Sequence, residues 1–347
     1  MTQQDIARMT GVSQATVSLV LNGRADGDVR IAPETRERVL QALRRTGYVA
    51  RHNRILGVFA EELGDLYHPY LAGIEERAEQ VGCDLLLLTG APVVDGRRRI
   101  FHQDNRLRLT DGCILLGRSL EPGELARLTA EGHPFVSVGR RDDARGPLPY
   151  VGADHRRATA ARVRDAVALG HRRLVYVDSS RGRGGPVLGE GIGSVSHADR
   201  LEGFAAAGVG PESHADRLEG FAAAAAEAGV DGRQLTIAGS SPADVLDALH
   251  ADGRTCVFVE AFTDGVSLAR VAAERGLRVP EDLSFVALGD PVRLAATDLD
   301  FTGYRIPRRE MGRQAVEVLA GMLTGADGPT QRILECPPVT GATLAAA

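Results

Sequence analysis

The chain has 347 residues, of which 44% are hydrophobic and 25% charged, with a net charge of −5 and no lysine. This is the composition of a soluble globular protein of two or three compact units with a sizeable core. There is no run of 18 apolar residues to cross a membrane, and MTQQDIARMT at the start lacks a secretory signal pattern. Cys83, Cys113, Cys256 and Cys336 form no CxxC pair, disulfide framework or zinc spacing, so a cytoplasmic protein without metal or cofactor is expected.

The charge is unevenly spread. Residues 1–54 hold nine arginines against five acidic residues, a formal +4, and the remainder carries −9. A basic head on an acidic body is the asymmetry of a nucleic-acid-binding module joined to something else. Three short helices are expected in the head: Gln3–Met9, Gln14–Leu21 and one from Pro33 to Gly47. Gly11 breaks the first, and Ser13 has the chemistry to cap the second. Pro33 opens the third, whose buried stripe is Val39, Leu40 and Leu43.

From residue 55 short apolar runs alternate with helical segments. The runs are ILGVF, DLLLLTG, DGCILLG, PFVSVG, RLVYVD, LTIA, TCVFVE and LSFVAL, and helices are expected near 69–82, 121–132, 154–169, 216–229, 242–251 and 264–276. Such alternation builds parallel sheets covered on both faces. This many strands suits two doubly wound sheets, hence an α/β body of two lobes with a ligand cleft beyond the carboxyl ends of the strands.

SHADRLEGFAAAG at 196–208 repeats as SHADRLEGFAAAA at 213–225, a tandem duplication with a period of 17 residues. The second copy runs on through AAAAAEAGV into LTIA, giving a helix and then a strand. The first copy stops at GVGPE, where Gly208, Gly210 and Pro211 break a helix. The second copy is therefore the expected crossover helix, and the first an insertion. RGRGGPVLGEGIG (181–193) reads as a mobile loop; it has glycine spacings like a phosphate loop but no lysine after them. GRRR at 96–99 reads as a solvated helix start. Neither HExxH nor GxSxG occurs, which argues against an enzyme on this scaffold.

DIARMTGVSQATVSLVLNG followed by ETRERVLQALRRTGY, together with GHRRLVYV, RLEGF and GLRVPEDLSFVAL, resembles the LacI/GalR family of bacterial regulators over nearly the whole chain. The resemblance implies a helix-turn-helix head at 1–49, a linker at 50–56 and a periplasmic-binding-protein-like body at 57–347. The first lobe would hold about 57–153 and 291–324, and the second about 154–290 and 325–347. It implies a repressor acting as a homodimer on double-stranded operator DNA and controlled by a small-molecule effector, a sugar or other metabolite. The rival reading is a small-molecule-binding protein whose head has lost specific DNA binding.

By family position, Gln14, Ala15 and Leu19 face base edges, and Ser13, Thr16, Ser18 and Asn22 set the register on phosphates. Leu19 stands where the family often carries arginine; leucine can touch a thymine methyl but cannot fork onto guanine. The implied effector residues are Tyr70, Leu71, Asp154, Arg217, Phe258, Phe262 and Asp290, with Arg217 holding polar groups of the ligand. The Asn-Asp pair common in the family after the TCVFVE strand is replaced by Ala261-Phe262.

The linker departs most from the family. Only VARHNR (49–54) separates Tyr48 from Ile55, room for roughly 9 Å of helix. Arg51 and Arg54 can reach phosphates, but a hinge helix that wedges leucine into the minor groove does not fit. The chain is therefore expected to bend operator DNA less than a relative with a full hinge. A circular-permutation gel assay checks this, and a bend of roughly tens of degrees contradicts it.

Overall fold

The computed structural model describes residues 3–21, 31–46, 54–60, 67–88, 93–94, 97–98, 109–116, 122–139, 148–178, 187–188, 211–237, 240–289, 299–326 and 328–347. The head consists of α1 (Gln3–Thr10), α2 (Gln14–Leu21) and α3 (Pro33–Thr46). Ile6, Ala7, Val17, Val20, Val39 and Leu43 bury one another at its centre, with Leu40 half-buried beside them. The Ser13 hydroxyl accepts from the Thr16 backbone N–H at 3.1 Å, satisfying one of the free donors at the start of α2.

The body runs β1 (Arg54–Ala60), α4 (His68–Gln80), β2 (Cys83–Leu88), β3 (Val93–Val94), β4 (Arg97–Arg98), β5 (Gly112–Leu116), α5 (Pro122–Ala130), β6 (Phe135–Val138) and β7 (Tyr150–Ala153). It continues with α6 (His155–Ala168), β8 (Arg173–Asp178), β9 (Val187–Leu188), α7 (Pro211–Glu227), β10 (Asp231–Thr236), α8 (Pro242–Ala251), β11 (Cys256–Val259) and α9 (Phe262–Glu274). The last elements are β12 (Ser284–Leu288), β13 (Thr302–Tyr304), α10 (Arg308–Thr324), β14 (Gln331–Leu334) and β15 (Pro338–Val339).

Among the described residues two large sheets form, in the orders β14-β7-β6-β5-β1-β2 and β15-β13-β12-β11-β8-β10-β9. The first is parallel throughout, and the second is parallel except for β9 and β15 at its edges. The inner strands β1, β5, β6, β8, β11 and β12 are apolar runs because both faces are covered, whereas the edge strand β2 leaves Leu85 and Leu87 exposed. Leu174, Tyr176, Cys256 and Phe258 point to the side of α6 and α7, where Val163 and Phe221 lie. Val175, Val177, Val257 and Val259 point to the side of α8 and α9, against Leu246 and Leu268. No helix of the described residues is long and apolar enough to cross a membrane.

The structure corrects four sequence expectations. β13 pairs with β12 in the second sheet, so residues 302–304 lie in that lobe, and β14 pairs with β7, returning 331–334 to the first. The reason is proximity: α10 packs over β5, β6 and β7, and the strand after it takes the open edge of β7. Arg54 opens β1 opposite Cys83, so the strand starts inside the segment assigned to the linker. Arg97–Arg98 pair as a strand with Val93–Val94 instead of starting a helix. Val187–Leu188 pair antiparallel with β10 inside the stretch read as a loop. The first repeat copy lies outside the described residues; the second lies within α7.

Close helix contact sets the first lobe's cleft face. A Cβ on Gly312 of α10 would lie 2.2 Å from the Tyr70 carbonyl oxygen of α4, and one on Gly73 would lie 1.9 Å from the Arg309 carbonyl oxygen. Only glycine permits this approach, which brings Tyr70 and Arg308 together. Gly312→Ala is expected to destabilise the protein by about 1–3 kcal/mol through overpacking. Gly321→Ala, in the same helix with nothing within 4 Å of its Cβ position, is expected to stabilise it by about 0.5–1 kcal/mol. Denaturant unfolding of the two variants checks the contrast.

Candidate functional site

Two strands of the second lobe end in carboxylates: β8 closes with Asp178 and Glu260 follows β11, while Gly289 follows β12. The helix after β8 and β9 is α7, and its residues His214 and Arg217, three apart, share the face that looks at these strand ends.

Arg217 is 3% exposed, and the sequence builds partners around it. Its Nη1 donates to Glu260 Oε1 at 2.9 Å and to Ser213 Oγ at 3.3 Å, and its Nε donates to the Tyr304 hydroxyl at 3.0 Å. His214 Nδ1 lies 2.7 Å from Glu260 Oε2, and its Nε2 lies 3.8 Å from Asp178 Oδ2. Gln234 Nε2 donates to the same Asp178 oxygen at 2.7 Å. The Tyr304 hydroxyl also meets His155 Nδ1 at 3.3 Å and Thr159 Oγ1 at 3.4 Å.

Burial pushes the Glu260 carboxyl upward, but the bond from His214 and the charge of Arg217 outweigh it and hold the group below its ordinary value. Burial, reinforced by Arg217 and Arg308, drives His155 well below the usual histidine range, so it is neutral.

The first lobe contributes Tyr70 on α4 and Arg308 at the start of α10, whose guanidinium stands 6.0 Å from the centre of the Tyr70 ring. Burial raises the Tyr70 hydroxyl, and Arg308 opposes it. The Cys336 thiol, on the segment from β14 to β15, is pushed up to about 12 by burial. The charge of Arg217 also bears on Tyr70, Arg308 and Cys336, opposing ionisation of Arg308 and favouring it at Tyr70 and Cys336. A cavity of about 140 Å³ between α6 and that segment is bounded by Asp154, Arg157, Tyr304, Glu335 and Cys336.

By residue type, Asp178, His214 and Glu260 could hold a cation, their ligand atoms lying within 4.8 Å of one another. Glu260 is already bonded to Arg217 and His214, and Asp178 to Gln234. The guanidinium supplies the positive charge that a metal would, so the arrangement is an ion-pair network.

The sequence-predicted residues divide accordingly. Arg217 is at the centre of the site, and Tyr70 and half-buried Leu71 are on α4 at its first-lobe side. Asp154 caps α6, accepting from the Arg157 backbone N–H at 2.9 Å. Phe258 is a core residue, its ring edge-on to Phe221 with centres 5.2 Å apart, because alternation along β11 points it into the packing under α7. Half-buried Phe262 stacks edge-on with Phe301 at 5.1 Å. Asp290 lies outside the described residues.

In the head, Ser13, Gln14 and Ala15 are exposed and Thr16, Ser18 and Leu19 half-buried; Asn22 and Arg51 lie outside the described residues. Arg54 is committed to β1. Sequence reading missed Asp178, His214, Glu260, Tyr304, Arg308 and His155. The available signal was a lone carboxylate closing each of two apolar strands, RLVYVD and CVFVE, and a histidine one helical turn before the arginine.

Residues 2–50 match the family described as bacterial regulatory proteins, lacI family, and residues 197–344 match the periplasmic binding protein-like domain. The chain is 30% identical over 362 residues to the HTH-type transcriptional regulator MalR of Streptomyces coelicolor, covering 99% of this chain and 96% of that one. It is 30% identical over 334 residues to an uncharacterized HTH-type transcriptional regulator in the aml 5′ region of Streptomyces limosus, covering 91% and 86%. Among solved structures, the lac repressor dimer bound to operator and the anti-inducer ONPF matches with a TM-score of 0.68 at 20% identity, covering 100% and 99%. A transcriptional regulator CelR–cellobiose complex matches with 0.58 at 22% identity, covering 99% of each chain.

The depressed Glu260 pKa has a sign. Its stabilisation is full above the unfolded carboxylate value and is lost as pH falls through the folded value. At neutral pH, Glu260→Gln is expected to destabilise the protein by roughly 3–5 kcal/mol, since Arg217 is left buried without its counter-ion. The gap between variant and parent should shrink below about pH 4, as measured by urea unfolding at several pH values.

Proposed function

Because the chain belongs to the LacI family of bacterial transcriptional regulators, we propose that it represses transcription as a cytoplasmic homodimer that binds a pseudo-palindromic operator and responds to a small polar effector held at Arg217. The observation that carries this reading is the pairing, on one chain, of a three-helix head with exposed residues on α2 and a two-sheet body in which Arg217 is buried and hydrogen-bonded to Glu260 and Tyr304 at the strand ends of the second sheet.

The mechanism follows from the connections. The head reads DNA through α2, with exposed arginines such as Arg36, Arg38 and Arg45 on α3 adding positive charge to its surface. The chain passes between the two sheets three times, before α6, after β13 and after β14. A ligand that engages Arg217 from one side and the Tyr70 face from the other favours one lobe arrangement over another. Its differential affinity for the two arrangements is what shifts the spacing of paired heads. Saccharides are the first effector class to test: CelR is a relative solved with cellobiose, and hydroxyl, guanidinium and carboxylate groups are the chemistry that recognises polyols.

In vitro selection of bound DNA, with and without a saccharide panel, tests the reading. One operator sequence should emerge, with affinity falling steeply as salt rises. Arg217→Ala is expected to abolish release by whichever saccharide frees the parent from DNA, while Arg200→Ala in the first repeat copy leaves release intact. The reverse pattern would assign the cleft to the wrong copy. Failure to enrich any sequence would favour a binding protein whose head no longer reads DNA.

A further inference from the structure

We infer that α2 reads A·T base pairs and that Leu19 and Ala15 are the thymine-sensing side chains; this rests on the DNA-binding reading above. Val17 and Val20 point inward, packing with Ile6, Ala7, Val39 and Leu43. At the helical pitch, the opposite side carries Gln14, Ser18, Ala15 and Leu19, of which Gln14 and Ala15 are exposed and Ser18 and Leu19 half-buried. This is the strip that a second helix of a helix-turn-helix lays into the major groove.

The chemistry of the strip is narrow. It offers one amide, one hydroxyl and two alkyl groups, and α2 as a whole, QATVSLVL, has neither a basic nor an acidic side chain. Guanine is best read by a guanidinium or ammonium on its O6 and N7, and the cytosine amino group by a carboxylate. Neither partner is present on α2. The Gln14 amide matches the N6 and N7 of adenine, and the alkyl groups of Ala15 and Leu19 match the C5-methyl of thymine. Ser18 bonds to either kind of pair and does not discriminate. G·C pairs under α2 are therefore left with unmatched polar edges, and A·T pairs are not.

The experiment uses the full chain. Duplexes selected from a random pool are expected to show A·T at the positions under α2, with G·C there costing about tenfold or more in affinity. Replacing each selected thymidine by deoxyuridine removes only the methyl group. At the positions touched by Ala15 or Leu19 it should weaken binding about fourfold, the burial of one methyl. Leu19→Ala should abolish that sensitivity at one position, and Leu19→Arg should change the preferred base there to guanine. Parent binding indifferent to deoxyuridine, or guanine preferred at the positions whose specificity moves with Gln14, Ala15 or Leu19, overturns the inference while leaving DNA binding in place. No enrichment of any duplex overturns the DNA-binding reading itself.

Discussion

A guanidinium buried to the depth of Arg217 must be neutralised and hydrogen-bonded where it stands, because an unpaired interior charge costs several kcal/mol. The second lobe is organised around that requirement. Glu260 supplies the countercharge, His214 holds the other oxygen of Glu260, and Tyr304 takes the remaining side of the guanidinium. Each comes from a different element, α7, the end of β11 and the end of β13, so the ion pair fixes how helix and strands meet at the carboxyl edge of the sheet. Aromatic packing backs it: Tyr176 lies edge-on to His214 and Phe221, and Phe221 edge-on to Phe258.

The same network reaches the lobe crossings. Tyr304 is the last residue of its strand before the chain passes to α10, where Arg308 stands over Tyr70. The residue after Tyr304 is tied back to the other crossing, its backbone N–H donating to the Pro337 carbonyl at 2.8 Å. Arg217 is thus linked to α10 of the first lobe by one hydrogen bond, to Tyr304, and the short crossing segment that follows it. On the far side, the glycine contacts between α4 and α10 leave little slack for Tyr70 and Arg308 to absorb a shift.

Much of the fold was legible because burial writes periodic signals. The inner strands of both sheets are covered on two faces and read as apolar runs, and the head's helices start or stop at Gly11, Ser13 and Pro33. Chain order alone did not reveal which sheet a late strand joins. β13 and β14 are short, and their assignment depends on which open edge is nearest once α10 has packed. At the candidate site the family pattern singled out Arg217, whereas nothing in the sequence singled out its partners Glu260, His214 and Tyr304. A single polar residue at a strand end carries no periodicity, and its role depends on a partner tens of residues away. Phe258 shows the converse: an aromatic side chain on a buried strand is more often packing than binding, and alternation with Val257 and Val259 places it inward.

The ion pair at the centre of this account is most directly tested by a double-mutant cycle on unfolding free energy, using Arg217→Met, Glu260→Gln and the combination at neutral pH. The account predicts that each single change is strongly destabilising and that the double variant is less destabilised than their sum, by about 2 kcal/mol or more, because the second change relieves the charge stranded by the first. Effects that add to within about 0.5 kcal/mol would contradict it and show Arg217 and Glu260 to be energetically independent.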